Sequence, residues 1–225
     1  MKFSLLALLA SVAPVAGSAQ TSKPTPHPAS ISMQETVTPV ELLQMVRSHY
    51  ESLNQFSMTI RHQDTSGLYP GSFTQKLAWK RGGPFTLSVV SPGNQKVPNF
   101  RATGQQVIST YPDGRKLTAG LQIDPNTSPG WEVTGGLILS FLQHTPLSEF
   151  FLHPPKGMEI AWSYGSRTNW KGMKVKELVA TVAGGGHSEP VHFFINEAGK
   201  QLIGFEWKGN GKLGYAIYSD QQEKP

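Results

Sequence analysis

Polar and apolar residues change rhythm several times along this chain. Residues 20–37 (QTSKPTPHPASISMQETV) have no apolar period. Such Pro, Ser and Thr mixtures bury too little surface to offset ordering entropy, so they are expected to be a disordered linker. From Thr38 a helical spacing begins. Thr38-Pro39-Val40-Glu41 has the form of a capping box with proline in the first turn, and Leu42, Met45, Val46, His49 and Leu53 follow at steps of three and four. One amphipathic helix is predicted over residues 38–53.

The period then drops to two. Phe56, Met58 and Ile60 alternate with Ser57, Thr59 and Arg61, and Phe73, Leu77 and Trp79 alternate with Thr74, Lys76 and Lys80. Phe85, Leu87 and Val89 continue the alternation up to a turn at Ser91-Pro92-Gly93-Asn94, and an extended piece ends near Ala102. Val107–Tyr111 and Arg115–Leu121 flank Pro112-Asp113-Gly114, a hairpin signal because Asp-Gly accepts positive φ. Helical spacing returns over 131–152, where Val133, Leu137, Ile138 and Phe141 precede a second start at Thr145-Pro146 and a stop at Pro154-Pro155. Met158, Ile160, Trp162 and Tyr164 alternate again. Further strands are predicted near 173–182, 190–196, 201–208 and 212–219, with Gly184–Gly186 and Glu197-Ala198-Gly199 as links.

A sheet of about ten or eleven strands with one apolar face must curl or be covered, and these helices can cover it. The expected fold class is α+β, mainly β: an unclosed antiparallel half-barrel beneath an N-terminal helix and a mid-chain helical lid.

Composition narrows the chemistry. Gly 23 and Pro 17 with only 16% charged residues suit a turn-rich β protein. The absence of cysteine excludes disulfides, a thiol nucleophile, cysteine-ligated zinc or iron–sulfur sites and a lipidated cysteine. The net charge of +5 is spread without any block of like charges, so no nucleic-acid partner is implied. Lys2, the short apolar run Leu5–Val15 and the small residues Gly17-Ser18-Ala19 form a signal peptide over residues 1–19, with cleavage expected after Ala19. The predicted organisation is leader 1–19, linker 20–37 and one domain over 38–225. No transmembrane segment is expected, and the location is periplasmic or otherwise extracytoplasmic, where nucleotide cofactors are scarce.

No nucleophile elbow, phosphate loop, zinc-protease helix or dinucleotide fingerprint occurs after the leader. His187 and His192, five apart across a strand, fall on opposite faces and do not share a metal. His144 and His153 flank the short second lid helix and suit caps or surface positions. The carboxylates are few and scattered, and acid pairs such as Asp64 with Glu149 or Glu159 could meet only through folding. No catalytic residue, metal or cofactor is therefore assigned, and a hydrolase ranks third among the functional readings.

Leu77-Ala78-Trp79-Lys80-Arg81-Gly82-Gly83-Pro84-Phe85, followed by Gly104-Gln105-Gln106-Val107 and Tyr111-Pro112-Asp113-Gly114, resembles the LolA-type periplasmic lipoprotein carriers, the outer-membrane lipoprotein-sorting family and their uncharacterised relatives. The resemblance spans about residues 38–220 and includes the order of elements. It implies an unclosed antiparallel barrel with a helical lid over an apolar cavity. In such carriers an arginine in a Lys-Arg-Pro segment latches the lid. Arg81 stands at that place here, with glycine following it and Pro84 three residues on.

The function expected is noncovalent binding of lipoprotein acyl chains or a lipid, as a monomeric chaperone-like carrier. The cavity candidates are Phe73, Leu77, Trp79, Phe85 and Leu87 from strands, Leu137, Phe141, Phe150 and Phe151 from the lid, and Trp162 beyond it; Arg81 is the latch candidate. Burying an acyl chain yields about 0.8 kcal/mol per methylene, so about 12 kcal/mol for sixteen carbons, too tight for a carrier that must unload. A lid that fills the empty cavity with its own side chains would offset most of that gain. The alternative is an envelope protein-interaction or sensor module on the same scaffold, using Tyr, Trp and Arg on an open rim.

Overall fold

The computed structural model describes residues 37–64, 71–91, 97–103, 106–120, 138, 141–142, 152, 159–183, 190–196, 198, 200–209 and 212–225. The leader and nearly all of the linker lie outside them.

Helix α1 spans Pro39–Glu51, and its start is built as the sequence requires. The Thr38 backbone N–H and hydroxyl donate to Glu41 Oε2 at 2.7 and 2.8 Å, and Glu41 N–H returns a bond to Thr38 Oγ1 at 3.3 Å. A cap of this kind is worth about 1 kcal/mol. The buried side is Leu42, Leu43, Val46 and Tyr50, whereas Met45 is 49% exposed. The helix is thus rolled by about one position from the expected stripe. Tyr50 fills more space than Met45 would, and its hydroxyl finds partners on the sheet.

Twelve strands follow among the described residues: β1 (Gln55–Asp64), β2 (Gly71–Lys80), β3 (Phe85–Ser91), β4 (Asn99–Thr103), β5 (Gln106–Thr110), β6 (Lys116–Gly120), β7 (Glu159–Tyr164), β8 (Asn169–Trp170), β9 (Met173–Ala183), β10 (Pro190–Asn196), β11 (Leu202–Gly209) and β12 (Lys212–Lys224). The spatial order is β6-β5-β4-β3-β2-β1-β12-β11-β10-β9-β7, with β8 paired to β9 off this path, and the pairings among the described residues are antiparallel. The chain meanders outward from β1 to one edge, crosses to the opposite edge, and meanders back to β12. β1 and β12 then pair at the centre, Ile60 opposite Tyr218. Because β6 and β7 remain edges, the sheet does not close among the described residues. The architecture is the expected half-barrel with one strand more than the sequence suggested.

The hairpin joining β5 and β6 turns as its Asp-Gly pair dictates. Gly114 has φ +81°, its N–H donates to Tyr111 O at 2.9 Å, and Tyr111 N–H donates to Arg115 O at 2.9 Å.

Register places the apolar residues in rows on the concave face. Phe56 pairs with Trp79, Met58 with Leu77, Ile60 with Gln75 and His62 with Phe73 across β1 and β2. Trp79 and Leu77 continue into Phe85 and Leu87 on β3, and Leu87 into Phe100 on β4. Apart from the His62–Phe73 pair, the apolar residues of these rows form one continuous core with α1 and the inward residues of β9–β12.

A second, smaller cluster lies on the convex face: Trp170, Val175 and Phe194, with Met173, Ile203, Tyr215 and Ile217 packed on it. The sequence reading placed no strand at 169–170. Lys171 and Gly172 both have positive φ, 52° and 83°, so they make a two-residue hairpin turn that folds β8 back on β9. Trp170 thereby stacks on Phe194 with ring centroids 4.1 Å apart. A Cβ at Gly204 would collide with the Ala216 backbone carbonyl oxygen and come within 2.8 Å of the Trp170 ring, so only glycine fits there.

Candidate functional site

The concave face is covered by helical residues in place of a second sheet. Ile138, Phe141 and Leu142 are helical, spaced three and one apart on a single face, and buried in the main core; Leu152 packs at its margin. Phe141 stacks on Tyr50 of α1, with centroids 6.4 Å apart, and Tyr50 meets Phe56 edge-on at 5.4 Å. The two covering segments therefore touch each other as well as the sheet.

Of the cavity candidates, Phe73, Leu77, Trp79, Phe85 and Leu87 point inward and are buried, and Phe141 is buried above them. Trp162 is partly buried on β7, with its ring 5.7 Å from Phe193. Phe73 stands apart from the main cluster and stacks flat on His62, with centroids 4.3 Å apart. Leu137, Phe150 and Phe151 lie outside the described residues, as do His144, His153 and His187. Tyr164, which alternation put on the apolar face, is 43% exposed at the end of β7.

Helix α1 is held at both ends by polar groups from the sheet. At its start the Tyr164 hydroxyl donates to Val37 O at 2.6 Å. At its end Arg81 takes free carbonyls: NH2 donates to Leu53 O at 2.6 Å and also to Glu51 O, while Nε donates to Leu53 O at 3.2 Å and to Asn54 Oδ1 at 3.0 Å. A helix C-terminus leaves carbonyls unsatisfied and carries partial negative charge, so a guanidinium suits it on both counts. The helix end that Arg81 grips is that of α1, whereas the resemblance had directed it to the mid-chain lid.

Between the ends, α1 is fixed by side chains that the sequence did not single out. The Tyr50 hydroxyl donates to Gln221 Oε1 at 2.9 Å and accepts from Leu202 N–H at 3.0 Å, and Gln221 Nε2 donates to Leu202 O at 2.8 Å. Burial pushes the Tyr50 phenol far above its ordinary range, so it acts as a neutral hydrogen-bonding group. His49 Nε2 lies 3.0 Å from Glu223 Oε1, which also accepts from Gln201 Nε2 at 2.8 Å.

The concave face also holds buried polar side chains: His62 on β1, Gln75 on β2 and Ser109 on β5, with the Tyr218 hydroxyl on β12. Gln75 was legible by parity, since it shares its strand face with Phe73, Leu77 and Trp79. Burial drives the Tyr218 phenol well above its usual range, with a smaller push from nearby Tyr50.

Charged residues gather on the opposite, convex face. Arg167 bonds Glu177 at 2.6 Å and Glu206 at 2.9 Å, and His192 Nδ1 lies 2.8 Å from Glu177 Oε1. Burial raises the Glu177 carboxyl, but hydrogen bonds from Arg167 and His192 and the Arg167 charge outweigh it and hold the group below its ordinary value. The cluster fastens the 165–170 loop over the sheet. Among the described residues no group of three or more His, Asp and Glu is placed to hold a metal, and no helix is long and apolar enough to cross a membrane.

No protein-family model matches the sequence, and no curated protein matches it. Solved structures do. An uncharacterised conserved protein from Thermus thermophilus superposes with a TM-score of 0.51 at 9% identity, over 82% of this chain and 86% of that one. The lipoprotein LppX of Mycobacterium tuberculosis gives a TM-score of 0.48 at 9% identity, over 81% and 93%. The LolA superfamily protein NE2245 of Nitrosomonas europaea gives 0.39 at 9% identity, over 84% and 95%. At these identities the likeness is one of fold. Among the described residues that fold is one open antiparallel sheet with helix α1 and the helical residues Ile138, Phe141 and Leu142 packed on its apolar face.

Proposed function

We propose that this protein is exported through its residue 1–19 leader and, as a monomer, binds a hydrophobic ligand between the concave sheet and its helical covers. The ligand is an acyl-chain compound, either the lipid moiety of a lipoprotein or a free lipid, and it is carried across the envelope without any bond being made or broken. The observation that supports this reading most is the kind of cover the sheet has. An apolar face shielded by helical segments, one of them pinned at its ends by hydrogen bonds, can be uncovered without unpairing a strand.

Phe141 and the buried side of α1 share one apolar core with Leu77, Phe85 and Leu87. A ligand must displace them, so its affinity is the difference between two burials and stays low enough for release. Arg81 and Tyr164 set the cost of moving α1, and Leu137, Phe150, Phe151 and Trp162 are the further positions proposed to meet the ligand.

The test is native mass spectrometry of the protein purified from its own host's envelope, with organic extraction of bound material. A copurifying lipid or acylated protein is the expected result. An apo mass that persists after incubation with lipids would make the interior ordinary core and transfer the fold to the protein-interaction reading.

A further inference from the structure

Most of the concave face is hydrocarbon, yet it contains buried polar atoms with no hydrogen-bond partner among the described residues. Gln75 is 0% exposed and neither its Nε2 nor its Oε1 has a hydrogen-bond partner among the described residues; the hydroxyl of Tyr218, 2% exposed, has none either. Leaving such groups dry costs on the order of 1–3 kcal/mol apiece, and native interiors rarely tolerate it without a reason. The two are neighbours in register: Ile60 on β1 sits opposite Gln75 on one side and Tyr218 on the other. Their backbones are therefore two strand spacings apart, about 9–10 Å, with the buried Ile60 side chain in the row between them, and glutamine and tyrosine are both long enough to reach past an isoleucine toward one small polar group.

The chemistry of that group follows from the pair. A carboxamide offers donor and acceptor together, and a phenol held neutral by burial does the same. On this stretch the other inward residues are Phe56, Met58, Ile60, Phe73, Leu77 and Trp79, all apolar, with His62 stacked on Phe73 at one end. Lys76 and Lys80 fall on the alternate, outward positions of β2 and are exposed. An ionised headgroup would find no lysine or arginine on these inward positions, whereas an ester, hydroxyl or amide would satisfy both side chains.

We infer that Gln75 and Tyr218 form a neutral polar seat in the hollow of the sheet, which binds the uncharged ester or hydroxyl group of an acylated ligand. This rests on the hydrophobic-ligand reading above and adds the position and polarity of the group that is read. Apolar chains fill the space that the covering side chains vacate, and the seat fixes how deep the linkage between chain and headgroup lies.

The test compares wild type with Gln75→Leu and Tyr218→Phe, which keep shape and remove the unpaired atoms, using three probes. 1-Monodecanoylglycerol carries ester and hydroxyl groups, decanoate at pH 8 carries a charge, and pyrene has no hydrogen-bonding group. Wild type is expected to bind monodecanoylglycerol more tightly than decanoate, and each substitution to weaken monodecanoylglycerol about fivefold while leaving pyrene unchanged. Both variants are expected to melt at or above the wild-type temperature, because a buried group without a partner has been removed. Equal loss for pyrene and monodecanoylglycerol, tighter binding of decanoate, or a lower melting temperature would overturn the seat while leaving hydrophobic binding in place. Failure of wild type to bind any of the three would overturn the ligand reading and the seat with it.

Discussion

Replacing Arg81 by methionine keeps the aliphatic stem and removes every bond the guanidinium makes to the end of α1. Those bonds reach two backbone carbonyls, Glu51 O and Leu53 O, and the side-chain oxygen of Asn54. A bond from a charged donor contributes about 1.5–3 kcal/mol when shielded, but this arginine is exposed, so solvent screening brings the two carbonyl bonds to roughly 1 kcal/mol each. The loss is about 2 kcal/mol, and it acts on α1 because the strands do not depend on these bonds. At 1.4 kcal/mol per tenfold, helix opening rises about thirtyfold. Hydrogen exchange measured residue by residue is the direct assay. Amides of Val46 through Tyr50 should lose about thirtyfold in protection, amides of β1, β2 and β12 should change little, and uptake of monodecanoylglycerol should accelerate. Arg81→Lys should behave nearly as badly, since a single ammonium cannot fork between two carbonyls. Unchanged α1 protection, or an equal fall in the sheet, would refute the idea that Arg81 governs the helix.

Phe141→Ala separates a filler from ordinary core. Removing a fully buried phenylalanine costs about 3–5 kcal/mol and should lower the melting temperature by roughly 2–4 °C per kcal/mol. If the ring competes with ligand, monodecanoylglycerol should nevertheless bind more tightly, by isothermal titration, than to wild type; lost stability with unchanged or weaker binding would make Phe141 plain core. Glu177→Gln addresses the convex cluster. The folded carboxyl lies below its ordinary value of 4.5, so its contribution is complete above that pH and is lost as pH falls through the lowered folded value. Urea unfolding should show the variant weaker than wild type at pH 7, with the difference shrinking toward pH 3; a constant difference would mean that the charge of Glu177 does not carry the effect.

Element type was largely legible along the chain. The capping box at Thr38 and Glu41, the alternation in β1, β2 and β3 and the Asp113-Gly114 turn all appear where local chemistry puts them, because each is decided by residues a few positions apart. Parity also placed Phe73, Leu77 and Trp79 on one face, and would have placed Gln75 with them. A polar residue inside an apolar row is easily passed over when only the apolar ones are counted.

What local pattern could not supply was which residues meet across long separations. Pairing of β1 with β12 joins Ile60 to Tyr218, and only that pairing sets Tyr218 beside Gln75. The roll of α1 that chose Tyr50 over Met45 follows from where Leu202 and Gln221 stand on other strands. The target of Arg81 depended on α1 ending beside the β2–β3 turn, and the convex cluster on a Lys171-Gly172 hairpin that folds Trp170 onto Phe194. The amino-acid sequence determined by itself the helix, the strands, the turns and the apolar stripe, since these are properties of neighbouring residues. Tertiary structure decided what covers that stripe and which polar groups remain unmatched beneath the cover, since burial and hydrogen-bond partnership exist only once distant segments have packed.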